Sequence, residues 1–245
     1  MLYAIEAFVI FIVGLVIGFF ICKKKYNNRL EENQRKFLAD ASHELRTPVT
    51  IIRGYADMLE NFGAEDTELL NEATVEIKKS AQNMQTLIEN LLFLARADQN
   101  NLQLKKKSVN VNELLKKIVE SYQNQRIEFV AGENFNLFGD AYYLEKMFRE
   151  IIDNALKYSS EKVFVKIEGG KIKIIDSGIG ISQTDCEKIF NRFYRSDKSR
   201  TNPDAEKIST GLGLSIAKWI ADNHDIKIEV ESKLGKGTCF DLKNG

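Results

Sequence analysis

From residue 26 to residue 98 the chain offers a helix almost no obstacle, since Pro48 and the cluster Asn61-Phe62-Gly63 are the only breakers. Before the cluster, Phe37, Ala41, Leu45, Val49, Ile52, Ala56 and Leu59 recur at spacings of three and four. After it, Leu70, Ala73, Ile77, Ala81, Met84, Ile88, Leu91 and Ala95 do the same. That period is the mark of amphipathic helices. Gly63 is the expected stop of the first helix, and Asp66 or Thr67 the cap of the second. Two helices alone have too little to bury, so seams of this kind close as a dimeric four-helix bundle. The pattern therefore predicts an antiparallel hairpin in a homodimer.

Ahead of the hairpin, residues 2–22 read LYAIEAFVIFIVGLVIGFFIC, with Glu6 as the only charge. As a helix this run spans about 30 Å, one hydrocarbon core. Lys23, Lys24, Lys25 and Arg29 follow it and no basic side chain precedes it, so the positive-inside bias predicts a single-pass anchor in the cell membrane, N-terminus outside. A cleaved leader would want a basic stretch before the run and a small-residue site after it. Glu6 is expected to snorkel at the outer boundary or to meet a partner helix. This reading leaves no extracellular sensor domain, and residues 23–36 form only a short cytoplasmic linker.

Lys+Arg and Asp+Glu both number 35, for a formal net charge of +0. A general nucleic-acid binder needs a basic excess to neutralise phosphates, so that class is excluded. Cys22, Cys186 and Cys239 are odd in number and lack metal-type spacing, which argues against a disulfide scaffold or zinc ribbon. Beyond residue 107 the texture changes. Val163–Ile167, Lys171–Ile175, Ile226–Glu231 and Thr238–Leu242 read as short strands. Helices are expected near 112–122, 140–158, 182–190 and 212–223. In the second, Asp140 is a cap, and Leu144, Met147, Phe148, Ile151, Ile152, Ala155 and Leu156 form one stripe. The mixture predicts a sheet covered by helices. Arg195–Thr210 is polar, holds a proline and ends at a glycine pair, and so reads as a loop over a site.

Several residues carry chemistry. His43 lies on the first hairpin helix with Thr47 one turn on and Glu44 beside it. Pro48 removes a backbone donor there and is expected to bend the helix. Asp176-Ser-Gly178-Ile-Gly180 follows a strand, and Gly211-Leu-Gly213-Leu opens a helix. Neither is a Rossmann fingerprint or a P-loop, yet glycines at a helix start suit a phosphate. Asn154 and Lys157 sit one turn apart at the polar edge of the stripe helix, an amide oxygen for a metal ion and an ammonium for a phosphate.

Together these segments resemble the sensor histidine kinases of bacterial two-component systems over nearly all of residues 26–245. Ser42-His43-Glu44-Leu45-Arg46-Thr47-Pro48 resembles the family's phosphoacceptor box. Asp153-Asn154-Ala155-Leu156-Lys157-Tyr158-Ser159 resembles its asparagine box, and Asp176-Ser-Gly178-Ile-Gly180-Ile its first glycine box. Ile189-Phe190-Asn191-Arg192-Phe193-Tyr194-Arg195 is similar to the phenylalanine box, and Ser209-Thr210-Gly211-Leu212-Gly213-Leu214 to the second glycine box. The order and spacing of five boxes make the resemblance specific.

With the transmembrane helix over 1–22 and the linker 23–36 read above, the resemblance implies two further parts: a dimerisation and histidine-phosphotransfer hairpin over 37–100, and an ATP-binding domain over 107–245 built as an α/β two-layer sandwich of the Bergerat type. It implies that His43 is phosphorylated from Mg-ATP, with Glu44 orienting the imidazole and taking its proton. Asn154 would ligate Mg2+, Lys157 and Arg195 would face phosphates, Asp176 would bind the adenine amino group, and Tyr158 would lie near the base. Gly178, Gly180, Gly211 and Gly213 would shape the pocket and lid. Thr47 matches the position that aligns water for dephosphorylating a response regulator, the implied partner. The signal is expected through the membrane helix from a membrane partner protein.

Two departures stand out. Glu150 takes a place where the asparagine box commonly starts with another asparagine; a glutamate there resembles the related ATPases of the gyrase and Hsp90 kind, where it activates water, and it is read as a second metal ligand that keeps an ATPase side reaction open. Lys207-Ile208 precede the second glycine box in place of further glycines, which predicts a stiffer lid. The rivals are a nucleotide-binding scaffold and a chaperone-like ATPase; neither gives a reason for the box around His43.

Overall fold

The computed structural model describes residue 32 and residues 34–61, 66–99, 101–123, 126–196 and 210–245. The membrane run 2–22 with Glu6, linker residues 23–31, Gly63, and residues 197–209 of the loop lie outside them. Among the described residues, no helix is long and apolar enough to cross a membrane. The chain divides into two compact units, one up to Ile77 and one from Lys78 onward.

The first unit holds helix α1, residues 34–61, and the start of α2, Thr67–Asp98. Helix α1 runs through Pro48 without interruption. Helix α2 starts as its sequence predicts, because Asp66 Oδ1 accepts from the backbone N–H groups of Glu68 and Leu69 at 3.0 and 3.1 Å. Tyr55 Oη donates to Glu72 across the pair at 3.0 Å.

On α2, Ala81 and Ile88 of the predicted apolar stripe are exposed in the single chain. The buried line is Ala73, Ser80, Leu87 and Leu94, with Asn90 and Ala97 beside it. These repeat at sevens and threes, the period of a seam between helices rather than of a broad core-facing stripe. Two of its members are polar, so apolar pattern alone could not find it.

The second unit adds strands β1 (Lys107–Asn110), β2 (Ile127–Val130), β3 (Asn136–Gly139), β4 (Val163–Glu168), β5 (Lys171–Asp176), β6 (Ile226–Lys233) and β7 (Gly237–Asn244). Its helices are α3 (Val111–Ser121), α4 (Ala141–Tyr158) and α5 (Gly213–Asp222). Strands β2-β4-β5-β7-β6 form one sheet, with β2 and β4 parallel and the other pairs antiparallel; β1 and β3 pair separately. Helix α4 packs against α3, α5 and the sheet, giving helices over one face in two layers.

Alternation decides which side chains meet those helices. Val165, Ile174 and Phe240 lie in register across β4, β5 and β7, and Ile167, Ile172 and Leu242 form the next row. Opposite them α4 buries Leu144, Met147, Phe148, Ile151, Ile152 and Ala155, while Leu156, also expected in that stripe, is half-buried. Asp140 caps α4 by accepting from the Tyr142 N–H at 3.0 Å. A helix was also expected near 182–190. Only a short 3-10 turn, Lys188–Phe190, forms there, since the stretch has too few apolar positions in phase to bury a longer helix.

Candidate active site

Strand β5 delivers the most telling residue of the second unit. Its core-facing positions run Ile172, Ile174, Asp176, so the period that buries two isoleucines carries a carboxylate onto the helix-covered face at the strand end. Asp176 is 5% exposed. Gly178 N–H donates to its Oδ1 at 2.8 Å. Burial pushes its carboxyl above the usual range, while the amides of Gly178 and Thr238 act to hold it down.

Beyond Asp176 the chain turns against the end of α4, where Ile179 N–H donates to the Tyr158 carbonyl at 3.2 Å. A Cβ on Gly178 would stand 2.1 Å from that same carbonyl oxygen, and one on Gly180, whose φ is +68°, 2.1 Å from the Lys233 carbonyl oxygen. Only glycine fits at either position. On the far side, Ser232 Oγ accepts from Ile181 N–H at 2.7 Å and donates to the Gly237 carbonyl at 2.8 Å.

These elements enclose an open cleft. Helix α4 lends Asn154 and Tyr158, one turn apart; β5 and its loop lend Asp176 and Gly180; the segment after the short turn lends Tyr194 and Arg195. Five residues singled out from sequence, Asn154, Tyr158, Asp176, Gly180 and Arg195, therefore meet in one place. Lys157 does not line the cleft and rests over the Tyr158 ring, 5.4 Å from its centroid. Gly178, Gly211 and Gly213 act through the backbone: Gly211, at φ +66°, accepts from Phe193 N–H at 2.9 Å.

Other wall residues were not expected. Ile179, Ile181, Ile189 and Leu214 make an apolar lining, and Thr238 joins because it pairs with Asp176 across β5 and β7. Tyr194 Oη donates to Asp185 Oδ1 at 2.7 Å and fixes that wall. A partly apolar cleft lined by one buried carboxylate suits a heteroaromatic ring bearing an exocyclic amine. Among the described residues, no group of three or more His, Cys, Asp or Glu side chains is arranged for a metal ion. The hard oxygen of Asn154 is the donor that Mg2+ would accept in company with substrate phosphates.

Glu150, one turn before Asn154, stays outside the cleft lining. Its Oε1 accepts from Lys146 Nζ at 3.2 Å, and burial raises its carboxyl against the pull of that ammonium. Contacts that sequence reading missed tie the end of α2 to this unit. Arg192 grips Asp98 with two hydrogen bonds of 2.8 and 2.6 Å. Phe93 stands edge-on to Trp219, ring centroids 5.3 Å apart. A signal existed for Asp98, since an acid at a helix C-terminus opposes the macrodipole and calls for a cation.

In the first unit, His43 and Thr47 are exposed on α1 and share a shallow groove with Arg46, Thr50 and Ile51. Thr50 Oγ1 turns back to the Arg46 carbonyl at 2.9 Å, whereas Glu44 is half-buried.

Comparison with known proteins agrees with this geometry. Residues 139–244 match the histidine kinase-, DNA gyrase B- and HSP90-like ATPase family, and residues 33–100 the His Kinase A (phospho-acceptor) domain. Both matched domains are of histidine kinase type. It is 33% identical over 220 residues to the sensor histidine kinase YkoH of Bacillus subtilis (strain 168), covering 86% of this chain and 48% of that protein. It is 33% identical over 229 residues to the signal transduction histidine-protein kinase ArlS of Staphylococcus aureus (strain USA300), covering 88% and 50%. The chain thus spans about half the length of these relatives. In fold it is similar to histidine kinase ThkA, solved in complex with the response regulator protein TrrA, at a TM-score of 0.62 and 21% identity over 84% of this chain and 60% of that one.

Proposed function

We propose that this chain is a homodimeric protein-histidine kinase that moves the γ-phosphoryl group of Mg-ATP to His43 and then to an aspartate of a response regulator. The observation that carries this reading is the convergence of Asp176, Asn154 and Tyr158 on one apolar cleft, in a chain that also presents His43 on an exposed helix face. Asp176 would accept from the adenine amino group. Asn154 would hold Mg2+, which supplies charge neutralisation on the phosphate oxygens. Arg195, with Lys157 if it leaves the Tyr158 ring, would face the phosphates, and Gly211 and Gly213 would shape the lid side. Glu150, paired with Lys146 outside the cleft lining, is left out of that set.

At the acceptor, the His43 imidazole nitrogen bonds to the γ-phosphorus as the bond from that phosphorus to the bridging oxygen breaks and ADP leaves. Glu44 orients the ring and takes its proton. Thr47, which lines the same groove as His43, would align water for a second duty, dephosphorylation of the regulator. A regulator partner is supported by the ThkA–TrrA complex of a protein of similar fold.

The test is incubation of the full chain in detergent with γ-labelled ATP and Mg2+, beside His43→Gln. Acid-labile, alkali-stable label on the wild type alone is the expected outcome; label retained on the variant, or none on a folded wild type, overturns the reading. The apolar run over 2–22 supports a membrane anchor, N-terminus outside, with a membrane partner supplying the signal. The chain should resist carbonate extraction from membranes, and release into the soluble fraction would refute that placement.

A further inference from the structure

Glu150, Asn154 and Tyr158 occupy successive turns along one face of α4, so that they form a row. The cleft takes the last two. Glu150 is next in the row, with its side chain 19% exposed. A carboxylate so far out of water needs a partner, and Lys146 provides one at 3.2 Å. Its other oxygen leans toward the start of α5, where a Cβ on Gly213 would come within 2.5 Å of Oε2. The next residue of that helix, Leu214, lines the cleft. The carboxylate therefore stands between two elements that supply cleft walls.

Lys146 is itself held from outside the ATP-binding fold. Its Nζ donates to Asn90 Oδ1 on α2 at 3.1 Å and lies 5.8 Å from the centroid of the Phe93 ring. Asn90 is 4% exposed, a polar residue in the buried line of Leu87 and Leu94. A buried amide in such a seam costs stability unless its hydrogen bonds are made. Here its partner is an ammonium that in turn fixes Glu150. The chain of contacts runs from α2 through Lys146 to the row that ends in the cleft.

We infer that Lys146, held by Asn90, is a positioning residue that keeps Glu150 paired and so reserves ATP for the histidine rather than for water. This rests on the kinase reading of the same cleft. An unpaired carboxylate one turn from Asn154 is a general base in waiting. It takes a proton from a water molecule as the water oxygen bonds to the γ-phosphorus, and the bond from that phosphorus to the bridging oxygen breaks. ADP leaves with the electron pair, and inorganic phosphate is released with no phosphoprotein formed. Lys146, engaged on Oε1, denies the carboxylate that role.

The experiment measures phosphate release and phosphohistidine side by side in the full chain in detergent, with Mg-ATP. Lys146→Met should raise phosphate release at least about tenfold, within the reach of a general base. Lys146→Arg, which keeps a cation beside Glu150, should stay at the wild-type rate, and Asn90→Ala should give a smaller rise. The double variant Lys146→Met with Glu150→Gln should return to the wild-type rate, which a merely loosened fold would not do. Release unchanged in a folded Lys146→Met, or a double variant as fast as the single one, overturns the inference. Absence of phosphohistidine in the wild type strikes at the kinase reading itself; phosphohistidine with unchanged hydrolysis in Lys146→Met strikes at the pairing alone.

Discussion

Helices α4 and α2 are both amphipathic, yet they solve different problems. The six core residues of α4, from Leu144 to Ala155, are all 0% exposed, shut against sheet and neighbouring helices. Helix α2 buries a narrow line that includes Ser80 and Asn90, and leaves Val75 61% and Leu92 51% exposed. A helix that completes its own core can afford apolar residues throughout its inner face. One that keeps apolar residues outside and polar ones inside is built for a second surface, which the predicted dimer provides.

The sharpest way to break this comparison is to cut the same chemistry from both helices. Phe148→Ala should cost about 3–5 kcal/mol of stability, the usual loss for emptying an aromatic site in a closed core, read by denaturant unfolding of the ATP-binding unit. Leu92→Glu should change that unfolding by no more than about 0.5 kcal/mol, since the side chain is half in water. It should instead shift the full chain in detergent from two copies toward one by light scattering. A large loss of unfolding stability with Leu92→Glu would erase the distinction between the helices.

A smaller effect probes where the two-layer unit meets acid. His224 is buried; Asp140 N–H donates to its Nε2 at 3.1 Å, so its Nδ1 carries the proton, donated to the Ile220 carbonyl at 2.7 Å. Burial lowers its pKa, with Lys106 adding to the effect and the Ile220 carbonyl, Asp140 and Asp225 opposing it. Below the ordinary value of about 6.5 the unfolded chain binds a proton that the native imidazole refuses. Stability therefore falls as pH drops through the window below about 6.5 and is insensitive to this group above it. His224→Gln should flatten that slope in unfolding measured between pH 5.5 and 7.5, whatever it does to stability at neutral pH.

Much of α4 was legible in the sequence because its signals are local: Asp140 as cap, then apolar residues at the period of one helix. The four longer strands β4 to β7 announced themselves by alternation for the same reason. Strands β1, β2 and β3 did not, since each is four residues long and forms only by pairing with a distant partner. The site divides in the same way. Asp176, Asn154 and Gly180 stood in recognisable local strings, whereas Thr238, Asp185 and the Arg192–Asp98 grip depend on which strand or helix ends lie side by side. The 182–190 stretch misled in the other direction, as a helical composition that closes only one short turn.

The two glycines that seat the cleft also set how it fails by inheritance. Gly178 and Gly180 each face a carbonyl oxygen 2.1 Å from where a Cβ would stand, so every possible missense change there, down to one extra methyl group, forces the backbone of the cleft apart. Inactivating alleles selected at random should crowd onto these two codons, while the codon for Val75, whose side chain points largely into water, should carry a broad spectrum of silent replacements in any assay that reads nucleotide binding alone.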